Sequence, residues 1–159
     1  MPVLLQVHIR SIAIHEARLR QMVHALMKQV GELSSELGLC LIGDRRMRRL
    51  NREFRGKDRT TDVLAFAMRN CREPHTSRLT PRMLGDVVIS MPTAMRQAKE
   101  SQRSLEEELA ALLIHGLLHL CGYDHERNKA EARRMQRREK LMRRRLGRIQ
   151  GLVRLTGSR

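Results

Sequence analysis

Three histidines in one short run, His115, His119 and His125, stand at positions i, i+4 and i+10, with Gly122 between the last two. Residues i and i+4 share a helix face one turn apart, so His115 and His119 can close on a single ion. Gly122 can end the helix in a left-handed conformation, and the reversed chain then brings His125 back to the same point. Three neutral imidazoles around an open fourth position form the ligand layout of a catalytic zinc. Such an ion lowers the pKa of its bound water to about 7 and polarises carbonyl or phosphoryl oxygens as a Lewis acid. The spacing therefore predicts one Zn2+ held by His115, His119 and His125.

Metzincin proteases use the same ligand spacing, but there a glutamate follows the first histidine and acts as general base. Here that position is Gly116. A metallopeptidase is thus an alternative that rests on ligand spacing alone. Asp124 is read as a turn cap or as a carboxylate orienting a histidine, ahead of a role as base. Cys121, two residues past His119, is expected to point away from the ion. His8, His15, His24 and His75 have no ligand-like spacing.

Charge is the second signal. The 159 residues carry 32 Lys and Arg against 17 Asp and Glu, a net charge of +15, which favours a polyanionic partner. Eight basic residues lie between Arg45 and Arg59 and eleven between Arg127 and Arg148, most of them arginine. Arginine forks match phosphate geometry, so RNA or DNA fits better than simple solubility. Phe54, Phe66 and Tyr123 are the only aromatic residues, too few for a module built on stacked bases. Zinc, arginines and a polyanionic partner together point to a nuclease, since phosphodiester cleavage needs cations around its developing charge.

The remaining composition sets the scaffold. Hydrophobic residues make up 41%, suiting a single globular domain over residues 1–150, with a frayed tail over 151–159. No apolar run approaches a membrane span, and the N-terminus lacks the basic and apolar regions of a signal peptide. Three cysteines without a CxxC pair give neither a disulfide framework nor a cysteine metal site, so a cytoplasmic protein is expected.

Branched apolar runs predict strands over Val3–Ile9, Leu37–Ile42, Thr61–Ala67 and Leu84–Ser90. Helical spacing predicts a helix over 15–30 and another capped by Asp44, with Met47, Leu50 and Phe54 on its apolar side. Residues 69–83 read as a surface loop, and Ser90 with Pro92 marks a further helix start. Ser104-Leu105-Glu106-Glu107 is a capping box that opens helix 105–121, which is apolar nearly all round and hence buried. A last helix from about Asn128 carries a stripe of Ala132, Met135, Met142, Leu146 and Ile149, interrupted by Glu139. The fold class is α+β: a central mixed sheet of about four strands, about five helices, and the metal site on the buried helix.

Three blocks carry a family resemblance. Asn51-x2-Phe54-Arg55-Gly56-Lys57-Asp58-x2-Thr61-Asp62-Val63-Leu64-x-Phe66 comes first, then Leu84-Gly85-Asp86-Val87-Val88-Ile89-Ser90, then the run His115–His125. With Glu131, Met135 and Glu139 downstream, these blocks resemble the YbeY endoribonucleases in order over roughly residues 40–142. The resemblance implies a bacterial, metal-dependent, single-strand-specific endoribonuclease. It would act in rRNA maturation, especially at the 3′ end of 16S rRNA, and in ribosome quality control, with rRNA and the ribosome or its small subunit as partners. It assigns the metal to His115, His119 and His125, and implies a catalytic role for Arg55, physically a grip on the scissile phosphate or its transition state. The family often has prolines where this chain has Thr60 and Ala67, which loosens the flanks of that strand. The C-terminal helix is also more basic than the family leads one to expect. A non-catalytic ribosome-assembly factor with a structural metal stays open beside the nuclease, because the run of histidines contains no glutamate base.

Overall fold

The computed structural model describes residues 3–68 and 82–155. In chain order its elements are β1 (Val3–Val7), β2 (Ile12–Ile14), α1 (Glu16–Gln29), β3 (Ser35–Ile42), α2 (Asp44–Arg55), β4 (Val63–Ala67) and β5 (Arg82–Ser90). They continue as α3 (Met91–Glu100), α4 (Leu105–Leu120), α5 (Lys129–Leu146) and β6 (Val153–Leu155). The main sheet has the order β1-β3-β5-β4, with β1, β3 and β5 parallel and β4 antiparallel to β5. The α+β reading of a four-stranded mixed sheet with five helices is what the chain forms.

Side chains alternate between the two faces of a strand, and here both faces are used. Leu37, Leu39 and Leu41 of β3 join Val87 and Ile89 of β5 in the main core, together with buried residues of α1 and α4. Their alternates Ile42 and Val88 pack with Met47 of α2 and Leu64 of β4 in a second, smaller cluster. The sheet is therefore sandwiched: α4 and α1 lie on one face, α2 on the other. Helix α4 buries Leu109, Leu112, Leu113, Ile114, Leu117, Leu118 and Leu120. At about 1.5–3 kcal/mol for each fully buried large side chain, α4 is the most strongly anchored helix of the fold. Its N-terminus follows the expected cap, Ser104 accepting from the Glu107 N–H at 3.1 Å.

Four sequence expectations are corrected. Residues 151–155 are not frayed: Leu152 is buried, and β6 pairs antiparallel with β2. Arg18 of α1 also donates to the carbonyls of Gln150 and Gly151 at 3.2 and 3.3 Å. Strands of three residues joined across the whole chain leave no local pattern, so both were missed. Residues 156–159 lie outside the described residues, as does 69–81 of the expected loop, while Arg82 and Met83 belong to β5. Phe54 is 63% exposed instead of packed on the apolar side of α2, resting edge-on against Phe66 at 5.1 Å.

Asp44 is the fourth. Gly43 occupies the N-cap of α2 without any side-chain cap bond, and Asp44 sits in the first turn. Its Oδ1 accepts from the hydroxyls of Ser90 and Thr93 at 2.6 Å each and of Thr60 at 3.2 Å. Arg96 pairs with Oδ2 at 2.9 Å. One carboxylate thus joins α2, the β5–α3 junction and the segment leading into β4.

Burial by itself would raise the Asp44 pKa, but the bonds from Ser90, Thr93 and Arg96 and the charge of Arg96 outweigh it and hold the group at about 2. A depressed carboxylate stabilises the fold above its ordinary value of 3.8, and that contribution is lost as pH falls towards about 2. Asp44→Ala should destabilise the protein by about 1–3 kcal/mol at neutral pH. Urea titrations of both proteins between pH 6 and 2 should show the difference shrink across the acid end of that range.

Candidate metal centre and its cleft

Helix α4 brings His115 and His119 onto one face, their Nε2 atoms 3.1 Å apart. The helix then stops in a complete glycine-dependent cap. Gly122 has φ +95°, its N–H donates to the His119 carbonyl at 3.1 Å, and the Tyr123 N–H reaches back to the Leu118 carbonyl at 3.0 Å. This reversal returns His125, whose ring centre lies 5.2 Å from that of His115 and 5.0 Å from that of His119. One ligand atom from each of the three rings lies within 4.8 Å of the others. Two facing ring nitrogens at 3.1 Å, with a third close by, make a donor set suited to one cation.

Burial first, then the neighbouring charges of His115 and His125 and that of Arg55, lower the pKa of His119, against a hydrogen bond with the Tyr123 backbone that raises it. His119 therefore stays neutral, the form that binds metal, further into the acid range than an ordinary imidazole.

Arg55 is the last residue of α2, which ends at Gly56 in the left-handed conformation. The buried side chain of Asn51 donates to the Arg59 carbonyl at 2.8 Å, and Asp58 forks onto Arg48 at 2.9 and 3.2 Å. These bonds fold the segment after α2 back on the helix and fix where Arg55 emerges. The exposed Arg55 lines the same cleft of about 360 Å³ as the three histidines, with Lys57 beside it and Val63 and Ala65 of β4 as one wall. All four sequence-predicted site residues thus share one cavity.

The carboxylates of this cleft are largely committed. Asp62 accepts from the Val63 N–H at 2.7 Å and from Gln97 at 3.2 Å. Asp124 accepts from the Glu126 N–H at 2.9 Å, the turn-capping role expected of it. Cys121 packs against the main core and is not part of the histidine cluster. One residue was missed: Glu139 of α5, whose Oε1 lies 3.0 Å from His115 Nδ1. The available signals were its position as the charged break in an apolar stripe and its place in the downstream pattern of the resemblance.

Gly116 also gains a physical reason. A Cβ there would lie 2.8 Å from Val87 Cγ1 and 3.3 Å from Val63 Cγ2, so this face of α4 sits directly on β4 and β5. Any side chain there must displace Val87, and a glutamate such as metzincins carry at this point would need far more room.

Comparison with known proteins agrees with this architecture. The family model described as endoribonuclease YbeY matches residues 5–147. A relative so described from Anaeromyxobacter sp. is 49% identical over 136 residues, 86% of this chain and 65% of that protein's length. Another from Geobacter metallireducens is 46% identical over 132 residues, covering 82% of this chain and 86% of the relative. The solution structure of a Thermotoga maritima protein superposes with a TM-score of 0.58 at 25% identity, covering 90% of this chain and 89% of that one.

Gly116→Ala should lower stability by about 1–3 kcal/mol through overpacking, and weaken metal binding by tilting His115 and His119. Adding Val87→Ala should recover part of both losses. Thermal unfolding and metal titration of the single and double variants check this coupling.

Proposed function

The chain belongs to the YbeY endoribonuclease family, and we propose that it is a zinc-dependent, single-strand-specific endoribonuclease that matures ribosomal RNA. The observation that carries this reading is the shared cleft: three convergent imidazoles faced by Arg55 in a chain of net charge +15. Three nitrogen donors with no sulfur among them suit zinc, which when bound supplies Lewis-acid activation of water or of a phosphoryl oxygen.

The chain's own residues do the rest. His115, His119 and His125 hold the ion. Arg55 offers a planar fork to the scissile phosphate and neutralises the charge that develops on its oxygens. Lys57 adds a point charge on the same side. The exposed arginines of α2 and α5 bind the RNA backbone without reading sequence. Asp62 is held by the Val63 N–H and Gln97, and Asp124 caps its turn, so neither is a free proton acceptor; the neighbouring 2′-hydroxyl of RNA is one of two nucleophiles open to the reaction, water the other.

We place this activity at the 3′ end of 16S rRNA and in ribosome quality control, with the small subunit as partner and the cytoplasm as its compartment. No helix among the described residues is long and apolar enough to cross a membrane. The missing glutamate at 116 speaks against peptide hydrolysis, and the close packing on Val87 and Val63 leaves little room for one.

Zinc-loaded protein, zinc-stripped protein and Arg55→Ala should be compared on single-stranded and duplex RNA. The loaded protein should cut the single strand preferentially, stripping should abolish cleavage, and Arg55→Ala should lose about 10²–10³-fold in rate with fold and zinc content intact. Equal cutting by all three would contradict the reading. A substrate with one 2′-deoxy nucleotide at the scissile step separates the two nucleophiles: normal cleavage removes the 2′-hydroxyl route.

A further inference from the structure

We infer that Glu139 is the positioning residue of the metal centre, selecting which nitrogen of His115 faces the ion. Helix α5 is mostly a cationic surface element, but Met135 and Met142 on its inner side are fully buried against the main core. Glu139 stands one turn from each, where an apolar residue would continue the stripe. Instead a carboxylate is turned inwards, its side chain only 23% exposed, with Oε1 3.0 Å from His115 Nδ1.

The chemistry of that contact has one consistent assignment. An ionised carboxylate only accepts hydrogen bonds, so His115 Nδ1 must carry the proton that it donates. The neutral ring then has its lone pair on Nε2, the atom that faces His119 Nε2 at 3.1 Å. Glu139 thereby fixes both the tautomer and the rotation of the ring, and does so from a helix 24 residues further along the chain. Among the described residues no other carboxylate is placed to do this: Glu126 is 73% exposed and 3.9 Å from His125, Asp62 accepts from the Val63 N–H and from Gln97, and Asp124 caps its turn. The bond also ties the strongly basic helix α5 to the histidine-bearing helix α4.

This inference rests on the reading that the three histidines bind a metal, and its test is independent of RNA cleavage. Zinc affinity of the full chain is measured by competition with a chromophoric chelator for the parent, Glu139→Met and Glu139→Gln. Unfolding of each metal-free protein is followed alongside, with imidazole ¹H–¹⁵N spectra of the zinc-loaded forms. Methionine restores the apolar stripe and a strong helix former, so Glu139→Met should fold at least as well as the parent yet bind zinc about 10–100-fold more weakly. Glutamine can accept the same bond through its amide oxygen and should recover most of that loss. His115 should carry its proton on Nδ1 in the parent, and that proton should exchange faster in Glu139→Met.

Parent-like zinc affinity in folded Glu139→Met overturns the proposal, as does a zinc-loaded parent whose His115 is protonated at Nε2. Unfolding of both variants overturns it too, by making Glu139 a structural residue. A parent that binds zinc but cuts no RNA would refute the proposed function and leave the role of Glu139 standing.

Discussion

Everything in this molecule's cleft depends on how closely α4 lies on the sheet. Gly116 lets the helix backbone settle onto Val87 and Val63, and the surrounding leucines bury the rest of its circumference. A helix held on that many sides cannot rotate, so His115 and His119 are fixed in direction before any ion arrives. The reversal at Gly122 then needs only one left-handed residue to complete the set with His125. Pre-organised ligands reduce the ordering that binding would otherwise require, and rigid support of this kind is what a metal site demands.

Two helices on opposite faces of the sheet meet at this point. The C-terminal end of α2 carries Arg55, and the C-terminal end of α4 carries the histidines, with the edge strand β4 between them as a wall. Asp44 and Asn51 matter here although neither touches the cleft. Asp44 binds the start of α2 to the β5–α3 junction, and Asn51 holds the segment after α2 in its return path. Arg55 at the end of α2 thus shares one cleft with three convergent imidazoles, the placement that the proposed grip on a phosphate requires.

Much of this was legible in the sequence because its signals are local. The i, i+4, i+10 histidines, the glycine at the turn, the capping box at Ser104 and the apolar circumference of α4 each lie within a few residues. Arg55 was singled out only through resemblance, since nothing in its own neighbourhood separates it from the other arginines of α2. What escaped were long-range pairings. The β2–β6 ribbon joins residues about 140 apart, Asp44 finds its partners at Thr60 and around the β5–α3 junction, and Glu139 reaches His115 from another helix. Asp44 was misread for a physical reason: an acidic residue beside Gly43 looks like a cap, yet buried hydroxyls and Arg96 compete for it more strongly. Glu139 looked like a flaw in an amphipathic stripe and is a contact with His115 of α4.

The central claim is that one ion sits among three imidazoles with a position left open towards Arg55. X-ray absorption at the zinc edge of the zinc-loaded protein tests it most directly. The account predicts one tightly held zinc per chain, three imidazole nitrogens at about 2.0–2.1 Å and a further light-atom ligand, with no sulfur. A sulfur scatterer at about 2.3 Å, which would bring in Cys121, or a shell with fewer than three imidazoles would contradict it.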